Sequence, residues 1–487
     1  MIKRGSMIAV RASGPIFNLY NYLEELGKMR EELLEIIGDE SRVITGNIDS
    51  KYLSDNLGRK HGSAAALVFP TSTEEVSKVL KFANENAIPV TPRGAGTNLV
   101  GSTVPLGEGI VLDLSLMDHI LEIDEETFTA TVEPGVILED FQQIVESKGL
   151  FYPPDPGEKR ASIGGNISTN AGGMRAVKYG VTRDYVRGLE LVLADGTVIT
   201  AGGKNCKDTS GLDLKDMVIG SEGTLAVITK CILKLIPKPE ESLSVLVGYD
   251  SLKTGIEAVQ KILLANLKPT AMEFIERKVV KLGEDYMNME FPDQESEAFI
   301  LLTFDGRKSE IENSIEGLKK VALKSGAVNI IELSDKETSA NVWKVRGALV
   351  KAVEAVSEQE PLDIVVPINQ VDKFVGFVNE LENKSGMSMI AFGHAGDGNV
   401  HLCVVRGDRD DDTWDKELRD NLTRLYKKAH ELGGLVSGEH GIGLSKQRYL
   451  VETTSGVNIS LMRNIKNAFD AKHILNAGIS YDVEWSF

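Results

Sequence analysis

The chain has 487 residues, 42% hydrophobic and 26% charged, a globular composition too long for one ordinary core, so two or three domains are expected. Its formal net charge is −18 with no lysine or arginine stripe, which argues against a phosphate-backbone binder, so no nucleic acid partner is expected. Cys206, Cys231 and Cys403 stand far apart in no paired spacing, against a disulfide framework or a self-held iron–sulfur cluster, and no apolar run approaches the ~18 residues that span a bilayer. With no export segment after the basic start Met1 to Met7, the expectation is a cytoplasmic protein without a transmembrane segment.

Residues 15 to 38 place apolar positions at helical spacing among charges and predict an amphipathic leading helix. Ala65 to Phe69 reads as a strand ending at Pro70, Thr71 to Glu74 as a capping box opening a helix to about Asn86, and Ile88 to Thr91 as a second strand. This βαβ unit runs into Pro92-Arg93-Gly94-Ala95-Gly96-Thr97-Asn98-Leu99-Val100-Gly101-Ser102, where glycines allow backbone N–H groups to converge on an anion. It is not the dinucleotide fingerprint, because no Gly-x-Gly-x-x-Gly separates the first strand from its helix.

Strands at Ile110 to Asp113 and Phe128 to Val132 and a helix ending near Gly149 follow. Then comes a long polar, glycine-rich stretch, Pro153 to Gly157 and Ser162 to Gly173, read as structureless and therefore functional. A third glycine-bearing element is Gly220-Ser221-Glu222-Gly223-Thr224 before the strand leading to Pro237. Three backbone-rich loops from one domain suit a long, extended, anionic ligand.

From Ser242 to about Leu432 strands alternate with helices, which predicts an α+β domain with helices on one face of a sheet, closed by a charged helix from Thr413 to Leu432. Within it, Phe392-Gly-His-Ala-Gly-Asp-Gly-Asn-Val-His401 carries His394 and His401 seven apart. Its glycines rule out a helix and predict a tight turn between two strands whose ends bring both rings inward. Glu439, in Gly438-Glu-His-Gly441, would join them from about forty residues on. Two imidazoles and one carboxylate with open positions suit a catalytic divalent ion, which these donors do not narrow beyond zinc, iron or manganese. His440, beside Glu439 and framed by glycine, is placed to act as a base near neutral pH.

The three loops, these two motifs and the closing run Phe469 to Gly478 together resemble the FAD-linked 2-hydroxy acid dehydrogenases. These are the glycolate oxidase large subunit, D-lactate dehydrogenase and D-2-hydroxyglutarate dehydrogenase branch of the vanillyl-alcohol oxidase and p-cresol methylhydroxylase flavoproteins. The likeness covers nearly everything after residue 40. It implies an α+β fold with a two-subdomain FAD-binding domain of the p-cresol methylhydroxylase type and a ferredoxin-like α+β cap. The implied limits are an N-terminal helical segment at 1–45, the FAD domain at 46–240, the cap at 241–432 and a returning C-terminal segment at 433–487.

By the resemblance, Arg93, Gly94, Ala95, Gly96, Thr97, Asn98, Gly101 and Ser102 would hold the pyrophosphate. Pro154, Asp155, Ser162, Gly164, Gly165, Asn166, Thr169, Asn170, Gly172 and Gly173 would hold the ribityl chain and isoalloxazine, and Glu222, Gly223 and Val227 the adenosine half. The first loop has no histidine to attach the flavin, so FAD is expected to be non-covalent. His440 matches the family's base and Arg346 its carboxylate-binding arginine. Pro361 and Leu362 stand where dicarboxylate-using relatives carry a lysine, which favours a short monocarboxylate, D-lactate or glycolate. Electrons would pass to a separate acceptor, an electron-transferring flavoprotein, an iron–sulfur protein or a quinone. The alternatives are a flavin relay subunit without a substrate site and a non-redox flavin synthase of the same fold.

Overall fold

The computed structural model describes residues 15–482, so the start read for an export segment lies outside the described residues. A four-stranded sheet comes first, ordered Val43–Thr45, Ala66–Val68, Ile110–Asp113, Val90–Arg93, its last three strands parallel. The helix Thr73–Asn86 makes the crossover, its first turn capped by the Ser72 hydroxyl accepting from the Glu75 N–H at 3.2 Å. Leu33 and Ile37 of the leading helix Pro15–Ile37 pack with Val76, Val79 and Leu80 in one core, so that helix closes this sheet. An antiparallel five-stranded sheet follows, ordered Ile120–Asp124, Thr129–Val132, Val227–Lys234, Val186–Val192, Val198–Gly202, covered by Phe141 and Val145 of the helix Leu138–Ser147.

The stretch from Ser162 is not structureless. Ile163–Thr169 is a short helix whose N-cap is Ser162, with Asn170 closing it at φ 50°. Its glycines are helical because the residues behind it, Ile163 and Ile167, are buried in the five-stranded core and hold the turn against the sheet.

The cap is one antiparallel sheet of seven strands, ordered Ala327–Leu333, Glu241–Tyr249, Ala298–Gly306, Ala271–Glu276, Met389–His394, Asn399–Val405, Gln359–Val365. Helices cover both of its faces, not one. Ile256, Ile315, Phe374 and Leu425, from four helices, pack on Val247, Ile300 and Ile364, whereas Val280 of the helix Arg277–Met287 and Val345 and Leu349 of Lys336–Val356 pack on Leu301 and Phe392. The cause is in the strands: Val245-Leu246-Val247 and Phe299-Ile300-Leu301-Leu302 are apolar on both sides, the pattern of a sheet buried twice over.

The C-terminal segment returns to the first sheet. The Val90 N–H donates to the Ile474 carbonyl at 2.7 Å and the Asn476 N–H to the Val90 carbonyl at 2.8 Å. Nearby, the fully buried Lys466 ammonium donates to the Thr224 carbonyl, the Asp470 carboxylate and the Leu475 carbonyl at 2.6 to 2.7 Å.

Candidate active site

Successive side chains on a strand alternate between faces, so one face of the cap sheet collects every second residue. Glu273, His394, His401 and Asp363 all fall on the face covered by the helix Lys336–Val356. Register then brings them together: Glu273 is opposite His394, and His401 is opposite Phe392 on one side and Asp363 on the other. The turn joining the two histidine strands needs glycine at Gly398, which adopts φ 86° and whose Cβ would strike the Val366 carbonyl. The expected tight turn between strands is what the chain forms.

His394 Nε2 and His401 Nε2 face one another at 3.2 Å. Glu439 Oε1 lies 3.8 Å from the first and 3.5 Å from the second, and all three donors fall within 4.8 Å of one another. The His440 ring stacks beside His401 with centroids 5.7 Å apart, its Nε2 3.8 Å from the same Glu439 oxygen. Burial favours the neutral form of both buried rings. At His394 the Glu273 carboxylate, accepting from Nδ1 at 2.6 Å, outweighs that and holds its pKa well above the ordinary value. His401, buried and facing that charge, is pushed down to about 3. Burial pushes Glu439 upward, but the three imidazoles prevail and keep it below the usual carboxylate range.

A second donor set, Asp363, His401 and His440, is also close enough for an ion. Asp363 is already committed, however. Its Oδ2 accepts from the backbone N–H groups of Gly438, Glu439 and His440 at 3.1, 2.9 and 2.8 Å and from the Ser437 hydroxyl at 2.9 Å, and its Oδ1 from Asn399 at 2.7 Å. Burial works against its charge, yet His440 and Lys446 hold its pKa well below the carboxylate range. Asp363 therefore shapes the loop that presents Glu439 and His440, leaving His394, His401 and Glu439 as the open set. Their chemistry fits a divalent cation: two imidazole nitrogens and a carboxylate oxygen converge with no lysine or arginine among them.

The site opens into a cavity of about 570 Å³ that is lined by all three glycine-bearing loops. Arg93, Gly94, Ala95, Gly96, Thr97, Asn98 and Ser102 line it, as do Ser162, Gly164, Gly165, Asn166, Thr169, Gly172, Gly173, Glu222, Gly223 and Val227. The loops close on one another only because side chains are missing: a Cβ on Gly94 would strike the Ser162 hydroxyl, and one on Gly172 would come within 2.7 Å of the Glu439 carboxylate. Such a long, backbone-walled cradle ending at the histidine cluster fits an extended dinucleotide. Gly101, Pro154, Asp155 and Asn170 stand behind the lining. Asp155 is buried in ion pairs with Lys159 and Arg175, and the Pro154 carbonyl accepts from Gln142 at 2.9 Å.

Glu222 lines the cavity, but its carboxylate is spent on accepting from the Ser102 hydroxyl at 2.9 Å and the Ile442 N–H at 2.7 Å. It ties the loop after His440 to the first glycine loop. Arg346 lines the cavity too, with Nε donating to Glu273 at 2.9 Å. Trp343, Arg346, Gly347 and Val350 form one face of the helix Lys336–Val356; sequence reasoning assigned Arg346 alone, although their 3, 4, 7 spacing marks the other three. Glu273 and Asp363 also went unassigned. Their signal is a lone acid inside an apolar strand, in Ala-Met-Glu-Phe-Ile and Leu-Asp-Ile-Val.

Two family models match the chain, one described as FAD binding domain over residues 64–202 and one as FAD linked oxidases, C-terminal domain, over residues 238–479. A D-lactate dehydrogenase of Anaerostipes hadrus is 41% identical over 94% of this chain and 98% of its own length. The glycolate oxidase subunit GlcD of Bacillus subtilis is 38% identical over 92% of this chain and 96% of its own. Among solved structures, p-cresol methylhydroxylase with substrate bound shares the fold at TM-score 0.76 and 18% identity, over 95% of this chain and 98% of that one.

Proposed function

The chain belongs to the FAD-linked oxidase family, and on that footing we propose that it oxidises a short D-2-hydroxy acid, D-lactate or glycolate, to the 2-oxo acid and passes the electrons to a separate acceptor. The observation that carries this reading is the convergence of His394, His401 and Glu439 beside His440 at one end of the glycine-walled cavity. A relay subunit without substrate would have no use for such a cluster.

Residues 93–102, 162–173 and 222–227 would cradle non-covalent FAD, which would supply the two-electron acceptor, and His394, His401 and Glu439 would hold a divalent ion, which would supply a Lewis acid to make the 2-hydroxyl acidic. The protein does the rest. His440 takes the hydroxyl proton, held in place by the backbone grip of Asp363 and by Glu222 on the residues after it. Arg346 fixes the substrate's carboxylate through a planar fork. Pro361 lines the cavity on the same sheet face as Asp363 and brings no charge to it, which suits a small substrate without a second charge, whereas the Leu362 side chain packs in the opposite core. Trp343, on the same helix face as Arg346, lines the cavity with its indole N–H donating to the Ser244 hydroxyl at 3.0 Å.

The test is an anaerobic titration of the purified flavoprotein with a panel of D- and L-2-hydroxy acids, with metal analysis of the same sample. Bleaching by D-lactate or glycolate is expected. No bleaching by any member of the panel would favour the relay or synthase alternatives.

A further inference from the structure

We propose that Glu273 is a positioning residue that locks the metal-ligating His394 and the anion-binding Arg346 to each other, so that the two halves of the substrate site are built as one unit. The inference rests on the function proposed above and goes beyond it.

Glu273 is fully buried at the centre of the cap sheet, between Met272 and Phe274, whose side chains enter the opposite core. Each carboxylate oxygen has its own task. Oε1 accepts from His394 Nδ1 at 2.6 Å and Oε2 from Arg346 Nε at 2.9 Å. The first contact fixes which ring nitrogen His394 offers: with Nδ1 held, only Nε2 can turn toward His401 and Glu439.

The second contact fixes the arginine. Glu273 takes the side-on edge, Nε and Nη2, of a rigid planar group that also lies over the Phe392 ring at 5.2 Å. Only the end-on edge is left to grip a second carboxylate, so the direction from which substrate docks is set by the same residue that aims the ligand.

Neither contact can be given up alone. A carboxylate at zero exposure is tolerated only while its partners stay. The two partners come from a strand and a helix far apart in sequence, so a merely local structural role would not need both.

The test uses FAD-loaded protein and Glu273→Gln, which keeps the shape and removes the charge. Zn2+ affinity is measured by competition with a chelator, and pyruvate affinity by its perturbation of the flavin spectrum in metal-free protein. Zn2+ affinity is expected to fall roughly 10- to 100-fold, the range for lost partners of metal-ligating histidines, with pyruvate binding weakened in parallel and FAD retained. Wild-type Zn2+ affinity in the variant would overturn the inference, because a purely structural carboxylate would change thermal stability and leave metal affinity alone. If Gln prevents folding, Glu273→Asp carries the test. Its shorter arm cannot span both partners, so a loss of at least about tenfold is expected and wild-type affinity again refutes it. Failure of the wild-type protein to bind Zn2+ at all, with His394→Ala as the matched control, would defeat the function proposed above as well.

Discussion

The His440 N–H donates to Asp363 Oδ2 at 2.8 Å, so the proposed base is held in place by its backbone and its ring is left for chemistry. The same oxygen receives the Gly438 and Glu439 N–H groups, which places the proposed third metal donor and the proposed base with one carboxylate. Asp363→Asn would turn an amide NH2 or a weaker acceptor toward donors and leave Lys446 buried without its charge partner. Breaking a buried pair costs about 3–5 kcal/mol. Lower thermal stability with slower flavin reduction is expected. Unchanged values of both in the variant would refute the role.

His440→Ala removes the proton acceptor but keeps the backbone carbonyl to which Asn98 of the cradle donates at 3.4 Å. FAD content should match the wild type, while reduction of the flavin by substrate slows roughly 10²- to 10⁴-fold, as for lost acid–base catalysis. Stopped-flow absorbance reads the rate directly.

Metal loading should depend on pH with a defined sign. Burial disfavours charge on His394, but Glu273 overrides it and raises the pKa well above its ordinary value, so the metal-free site carries a proton that an incoming ion must displace. Below that raised pKa, apparent Zn2+ affinity should rise with pH by about tenfold per unit for each proton released. A flat profile across neutral pH, in chelator competition, would contradict the assignment.

Arg346→Lys keeps a cation but loses the fork. The Michaelis constant for substrate should rise by at least about tenfold, the cost of one charged hydrogen bond of 1.5–3 kcal/mol, with FAD binding unchanged. Steady-state kinetics with an artificial electron acceptor would show it.

Away from the site, Lys466 and Asp470 form a fully buried pair that pins the returning C-terminal segment to Thr224 and Leu475. Asp470→Ala should cost about 3–5 kcal/mol by leaving the ammonium unpaired. Denaturant unfolding of the FAD-loaded protein measures it.

Much of this was legible in the sequence, for identifiable reasons. The proposed metal donors stood out because glycines flank His394 and Glu439 where a core would use apolar residues, and His401 ends the first of those two runs. The βαβ start was readable from the capping run Thr71 to Glu74 and the apolar period after it, with the cap itself one residue on, at Ser72 bonded to Glu75. Sheet register was not readable, and register is what sets Glu273 opposite His394 and Asp363 opposite His401. The helix at Ile163–Thr169 was hidden because Gly164 and Gly165 disfavour helix locally, and burial of Ile163 and Ile167 overrode them. The helices on the second cap face were missed because a strand apolar on both sides was read as if only one side were covered.

The central claim is that one cavity joins a flavin cradle to a metal-assisted base. Its most direct test is anaerobic stopped flow of metal-loaded, FAD-loaded protein against D-lactate, run with wild type, a chelator-stripped sample and His440→Ala. The account predicts rapid bleaching with one 2-oxo acid formed per flavin in the wild type, and loss of the fast phase in both of the others. Fast bleaching that survives metal removal and loss of His440 would contradict it.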